Sequence, residues 1–149
     1  MAPGDLEAVA ALARRADPFG WTLRNFQDAL ASGYPMTVLE GDGAIAGYSV
    51  IMVVVDEAEL LEIAVDPARQ GRGLGRRLLA EAMRRARAEA ARVMHLEVRV
   101  SNARARKMYH SAGFEEVGRR RNYYPADPST SGGTGREDAI LMRRDFPGV

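Results

Sequence analysis

The sequence predicts a single α+β domain with a mixed, mostly antiparallel twisted sheet flanked by helices. Two amphipathic helical stretches come first, and apolar segments joined by tight turn signals follow. A strand, a glycine-punctuated loop and a third amphipathic helix then run together as one strand-loop-helix unit. The length of 149 residues, with 46% apolar and 28% charged side chains, is that of one ordinary globular core. No internal repeat or linker divides it, and residues 1–149 are read as one domain.

The elements follow in order. Asp5 is positioned to cap a helix with the apolar stripe Leu6, Val9, Ala10 and Ala13, ending near Ala16 before Asp17-Pro18. Thr22 opens a second helix with Leu23, Phe26 and Leu30 inward, stopped at Ser32-Gly33. Residues 36–40 read as a strand, and Gly41-Asp42-Gly43 turns it into a longer one over 44–55, an antiparallel hairpin. A turn at Asp56-Glu57 leads to a strand over 59–65. After Asp66-Pro67 comes Gln70-Gly71-Arg72-Gly73-Leu74-Gly75, then a helix from about 76 to 91. Residues 93–100 alternate as a strand, with Met94, Leu96 and Val98 on one face and His95, Glu97 and Arg99 on the other. Ser101 is expected to cap the next helix and Gly113 to end it. Strands near 116–121 and 139–144 close the chain, with a mobile loop over 126–136.

Composition narrows the function classes. The longest apolar run, residues 50–55, is far short of the roughly 20 residues a membrane-spanning helix needs. The first residues have neither a basic nor an apolar signal region, so a cytoplasmic protein is expected. With no Cys and only His95 and His110, disulfides, a thiolate nucleophile and a metal site are not expected. A net charge of +1 gives no reason to expect nucleic acid or membrane as partner. Its distribution is more telling. Eight arginines lie between Arg69 and Arg92 against Glu81 and Glu89, whereas Asp56, Glu57, Glu59, Glu62 and Asp66 stand together without a base. The first stretch invites an anion, the second a cation.

In the loop from Gln70 to Arg76, glycines at 71, 73 and 75 clear side chains from a turn that runs into a helix start. Several main-chain N–H groups there are able to converge on a phosphate. The loop lacks the Gly-Lys-Ser/Thr of a Walker loop and the full dinucleotide fingerprint with its acidic ribose ligand.

Read as Gln-x-x-Gly-x-Gly after Ile63-Ala64-Val65-Asp66-Pro67, it resembles the acetyl-coenzyme A signature of the GCN5-related N-acetyltransferases (GNAT). The resemblance covers nearly the whole chain and is closest to the RimI-type, ribosomal-protein-alanine branch. It is carried by Gln70 through Leu78, Leu96-Glu97-Val98-Arg99, Ser101-Asn102-Ala103, Tyr109, Gly113-Phe114, Arg120-Arg121-Asn122-Tyr123-Tyr124-Pro125 and Gly135-Arg136-Glu137-Asp138-Ala139-Ile140. It implies a splay between the family's fourth and fifth strands, with the pantetheine arm of acetyl-coenzyme A lying in the gap against Ile63, Ala64 and Val65. It assigns the diphosphate to Gly71, Arg72, Gly73, Leu74, Gly75 and Arg76, and a cofactor hydrogen bond to Asn102. Glu97 becomes the general base and Tyr109 the general acid. These residue types suit the chemistry, since an α-amine of pKa about 8 must lose a proton before it attacks a thioester. A strand glutamate taken alone is more often a solvated face residue, and a helix tyrosine more often a packing one. Glu62, which shares a strand face with Ala64, is the rival base, while His95 and His110 read as surface or packing residues.

The resemblance implies transfer to a protein N-terminus, the N-terminal alanine of the eighteenth protein of the small ribosomal subunit. The alternatives are a small-molecule amine or lysine side chain as acceptor, or a non-catalytic acetyl-coenzyme A-binding module. Without Cys, transfer should be direct. Trp21 and Tyr34, with Asn122-Tyr123-Tyr124 opposite, are candidate walls of the acceptor groove, and packing is the rival role. A monomer or weak oligomer is expected. Residues 1–4 leave no room for the strand that normally precedes the family's opening helix, and the loop over 126–135 is longer than usual.

Overall fold

The computed structural model describes residues 1–125 and 136–147. Helices α1 (Leu6–Ala16) and α2 (Leu23–Ala31) precede strands β1 (Met36–Gly41), β2 (Ala44–Val54) and β3 (Glu57–Val65). Helix α3 (Leu74–Ala88), strand β4 (Val93–Arg99), helix α4 (Ala103–Ser111) and strands β5 (Glu115–Pro125) and β6 (Arg136–Asp145) follow. The six strands form one sheet in the order β1-β2-β3-β4-β6-β5, in which only the β3–β4 pairing is parallel. That is the mixed, mostly antiparallel sheet the sequence predicts. No strand precedes α1 among the described residues, so the family's fourth and fifth strands correspond here to β3 and β4. The loop expected over 126–136 lies outside the described residues except for Arg136, which already belongs to β6.

Three local expectations shift. Asp5 does not cap α1. Its backbone is helical, and its carboxylate accepts from Ala2 N at 2.8 Å, beside a short 3-10 turn over Pro3–Asp5. Ser101 does not cap α4, because the turn off β4 continues one residue further, with Asn102 N bonded to Arg99 O at 3.0 Å. Asn102 therefore takes the cap, its side chain accepting from Ala105 N at 3.1 Å. Helix α3 begins at Leu74 rather than Arg76, since Gly73 in the left-handed region already serves as its N-cap. Thr22 caps α2 as expected, accepting from Asn25 N. The β1–β2 hairpin turns on Asp42 and Gly43, both at positive φ.

The sheet is buried on two sides by separate cores. Ile51, Leu60, Leu79, Met94, Leu96, Val98, Tyr109, Phe114 and Ile140 pack beneath α3 and α4. On the opposite face Leu6, Val9, Leu12, Phe26, Tyr48 and Val50 pack beneath α1 and α2. Among the described side chains none of β4, β5 or β6 joins this second core.

The feature that positions the site is an irregularity in β3. Val50 pairs with Glu62 but Ile51 pairs with Leu60, so Leu61 is an extra residue, a β-bulge. Before it, Ala58 and Leu60 point into the α3–α4 core. After it the phase inverts. Ile63 continues on the α3–α4 side, while Leu61 and Ala64 pack on the α1–α2 side and Glu62 turns to Tyr48. The parallel ladder between β3 and β4 ends just short of the bulge, at Glu59 and His95. From there the two strands part, which is the splay the resemblance implies.

Candidate active site

The parted strands border a cleft lined by Asp17, Leu60, Leu61, Glu62, Ile63, Leu96, Glu97, Val98, Arg99, Asn102, Tyr109 and Tyr124. Four of the expected site residues, Ile63, Glu97, Asn102 and Tyr109, therefore meet in one place, together with the rival base Glu62. They arrive from different sides. Glu97 lies opposite the buried Met94, Leu96 and Val98 on β4, whereas Tyr109 belongs to the core beneath α3 and α4. The gap between β3 and β4 is what brings them to a common cleft.

The two carboxylates differ in surroundings. Glu97 is 21% exposed and forms an ion pair with Arg120, whose Nε lies 3.2 Å from Oε1. Glu62 Oε2 accepts the hydroxyl of Tyr48 at 2.7 Å. Burial pushes the Glu62 carboxyl up to about 7, Asp17 adds to the rise, and the Tyr48 bond opposes it. Burial likewise holds the Tyr109 phenol above its ordinary value, with Glu62 and Tyr124 adding to the shift. Tyr124 is pushed up to about 12, first by burial and then by Glu97. Glu59, on the same face, is raised by burial and by the Glu97 charge, against the lowering effects of His95 and Arg120.

The remaining expected cofactor residues lie along the continuation of β3. Ala64 and Val65 pair with Tyr48 and Gly47 of β2 and lead through Asp66 and a short 3-10 turn, Pro67–Arg69, to the glycine loop. Gly71 and Gly73 have φ of 83° and 76°, conformations an L side chain rarely adopts. A Cβ at Gly73 would meet nothing within 4 Å. Leu74, Gly75 and Arg76 form the first turn of α3, whose N–H groups have no partner within the helix. Gly75 sits against Met108 of α4, where a Cβ would come within 3.0 Å of the sulfur.

Some site neighbours have no signature in the sequence. Arg104, in the first turn of α4, donates to Gln70 Oε1 at 3.1 Å, so a guanidinium stands beside the glycine loop. Arg120 reaches Glu97 from β5, and Tyr48 reaches Glu62 from β2; neither pair has a regular spacing. Trp21 and Tyr34 are not among the cleft residues. Trp21 packs edge-on against Phe26 at 5.2 Å, and both join the periphery of the α1–α2 core. Tyr124 does line the cleft, and Tyr123 lies under Arg120. His95 pairs with Glu57 at 3.2 Å, and His110 is exposed on the last turn of α4.

The sequence model of the acetyltransferase (GNAT) family matches residues 6–114. The chain belongs to the GNAT family. Within it, the ribosomal protein bS18-alanine N-acetyltransferase of Escherichia coli strain K12 is 41% identical over 138 residues, which span 93% of this chain and 89% of that protein. The crystal structure of the ribosomal-protein-S18-alanine N-acetyltransferase from Escherichia coli superposes with a TM-score of 0.90 at 38% identity, covering 100% of this chain and 92% of that one. A GNAT acetyltransferase from Elizabethkingia anophelis, crystallised with acetyl-coenzyme A bound, shares the fold with a TM-score of 0.75 at 22% identity over 98% of this chain and 92% of that one. The GNAT α+β architecture is thus shared with the two solved structures.

Proposed function

We propose that this chain transfers acetyl from acetyl-coenzyme A to the N-terminal amine of a protein, with the N-terminal alanine of ribosomal protein bS18 as acceptor. The observation that carries this reading is the cleft between β3 and β4, where a carboxylate from one face of the sheet meets a buried phenol from the other. The relative in E. coli whose name states that reaction supports the choice of acceptor.

The residues present fit the donor. Past Glu59, the edge of β3 facing β4 has lost its ladder partner, which suits an extended arm of amide groups. Gly71 and Gly73 leave the loop bare, and the first turn of α3, Arg72, Arg76 and Arg104 supply positive potential for a diphosphate. Acetyl-coenzyme A, when bound, supplies the thioester carbonyl that the amine attacks. Glu97 accepts one proton from the acceptor ammonium, the neutral amine attacks, and its second proton leaves to solvent as the C–N bond forms. Tyr109 gives its phenolic proton to the sulfur as the C–S bond breaks, and solvent restores it. With no Cys in the chain, transfer passes directly between donor and amine. The carboxylates Glu59 and Glu97, joined on their face by Glu62 through the Leu61 bulge, attract a cationic peptide.

Incubation with labelled acetyl-coenzyme A and peptides beginning with Ala, Ser or Met, beside internal-Lys peptides and polyamines, tests the reading. Labelling of the alanine α-amine is expected. Preferential labelling of lysine or polyamine would move the acceptor class, and binding of the donor with no transfer at all would leave a module without catalysis. Tyr109→Phe keeps the ring against Phe114, whose centroid is 6.0 Å away, and removes only the hydroxyl. Turnover should drop by about a hundredfold with donor affinity by calorimetry little changed. Equal turnover would remove Tyr109 from the acid role.

A further inference from the structure

We propose that Glu62, backed by Tyr48 and Asp17, captures the acceptor amine as its ammonium before Glu97 removes the proton. This rests on the reading of the cleft as an N-acetyltransferase site and gives Glu62 and Glu97 separate duties.

The difference lies in what each carboxylate already has. Glu97 holds a guanidinium, Arg120, at 3.2 Å. Glu62 has a phenol on one oxygen and shares the cleft with another carboxylate, Asp17 at the end of α1, whose charge raises its carboxyl further. The cationic residue in the cleft lining, Arg99, is committed to Glu137 at 3.0 Å and stacked over Tyr124 at 4.5 Å. Leu60, Leu61, Ile63, Leu96 and Val98 supply apolar wall between the polar side chains of the cleft. A carboxylate withdrawn from water beside a like charge gains most from an incoming cation, and an ionised carboxylate has acceptor capacity beyond the single Tyr48 bond. The incoming cation is at hand, because an α-amine of pKa about 8 reaches the enzyme mostly as ammonium at pH 7. Tyr48 is itself 1% exposed and braced edge-on by Phe26 at 5.2 Å, so the Glu62 carboxylate is held on a rigid donor.

The pH dependence follows from the groups facing Glu62: Tyr48 on β2, Asp17 after α1, Tyr109 on α4, Tyr124 on β5, and Glu97 and Arg99 on β4. With its carboxyl at about 7, Glu62 becomes anionic as pH rises through neutrality. The KM for an Ala-initiated peptide should therefore fall through that range, then rise again as the amine loses its own proton near pH 8.

Steady-state kinetics across pH 6–9 with Glu62→Gln and Tyr48→Phe, each checked for folding by thermal melt, tests this. Glu62→Gln should raise KM by about tenfold near pH 7.5, with kcat changed far less, and should erase the inflection near neutrality. Tyr48→Phe removes a bond that favours the carboxylate, so the inflection should move to higher pH, a displacement that a merely structural role would not produce. A collapse of kcat in Glu62→Gln with KM unchanged would overturn the proposal and make Glu62 the proton acceptor. Calorimetry with an Nα-trimethylated alanyl peptide, charged at every pH and unable to react, gives a readout independent of transfer. Its affinity should rise with pH through neutrality in the parent protein and be weaker and flat in Glu62→Gln; equal affinity in the two proteins would sink the ammonium site even if acetyl transfer stands. Transfer to no α-amine, with the trimethylated peptide still bound through Glu62, would instead sink the acetyltransferase reading alone.

Discussion

Glu97→Gln is expected to lower turnover by about two to three orders of magnitude, the span typical of a lost general base, with the fold and donor affinity preserved. Glu97 faces Leu141 across the antiparallel β4–β6 ladder, and its strand position is fixed by the buried Met94, Leu96 and Val98 that flank it. An amide of the same shape keeps those constraints and still offers an oxygen to Arg120 Nε, which lies 3.2 Å from the carboxylate. What disappears is the capacity to accept a proton. The deficit should therefore shrink as pH is raised through about 8, where the amine begins to arrive already neutral. The pH profile of kcat/KM for an Ala-initiated peptide, compared with the parent protein, measures this. Full activity in Glu97→Gln together with loss in Glu62→Gln would exchange the two carboxylates' roles.

The parts of the molecule set by local chemistry were legible in the sequence. The Asp42-Gly43 turn, the Thr22 cap, the glycine loop leading into α3 and the alternation that turns Glu97 away from Met94 and Leu96 all follow from spacing and residue type. The parts set by a departure from periodicity were not. Continuing the alternation of Ala58 and Leu60 through residue 62 would turn Glu62 into the α3–α4 core. The extra residue at Leu61 reverses the phase and delivers Glu62 to Tyr48, and nothing in the local composition marks a bulge there. Asn102 and Ser101 are both good caps; the choice between them was made by how far the turn off β4 runs before α4 starts. Pairs such as Arg120 with Glu97 or Arg104 with Gln70 join elements that only the tertiary fold brings together. The resemblance proposed site roles for residues that spacing left as ordinary strand and helix positions.

Gly47→Val should destabilise the protein and weaken donor binding in one step. Strand propensity alone would favour valine, since residue 47 lies within β2, paired with Leu39 on one side and Val65 on the other. Packing decides otherwise. A single Cβ at residue 47 would stand 2.7 Å from Leu78 Cδ1 and 2.8 Å from the Ala64 carbonyl oxygen. Leu78 is buried at 2% exposure, and the carbonyl belongs to backbone that has no rotamer to escape into. Relief must come from moving α3 off the sheet or β3 off β2, at about 3 kcal/mol or more, a fall in Tm of about 6–12 °C for a domain of this size. Both moves strike the proposed donor site. Helix α3 carries the glycine loop at its start, and Ala64 and Val65 are the stretch of β3 proposed to border the donor's arm. Thermal unfolding should show the lower Tm, and calorimetry below that Tm should show acetyl-coenzyme A affinity reduced by tenfold or more, about 1.4 kcal/mol. A protein that melts lower yet binds the donor unchanged would mean that the placement of Ala64 and Val65 does not govern the donor.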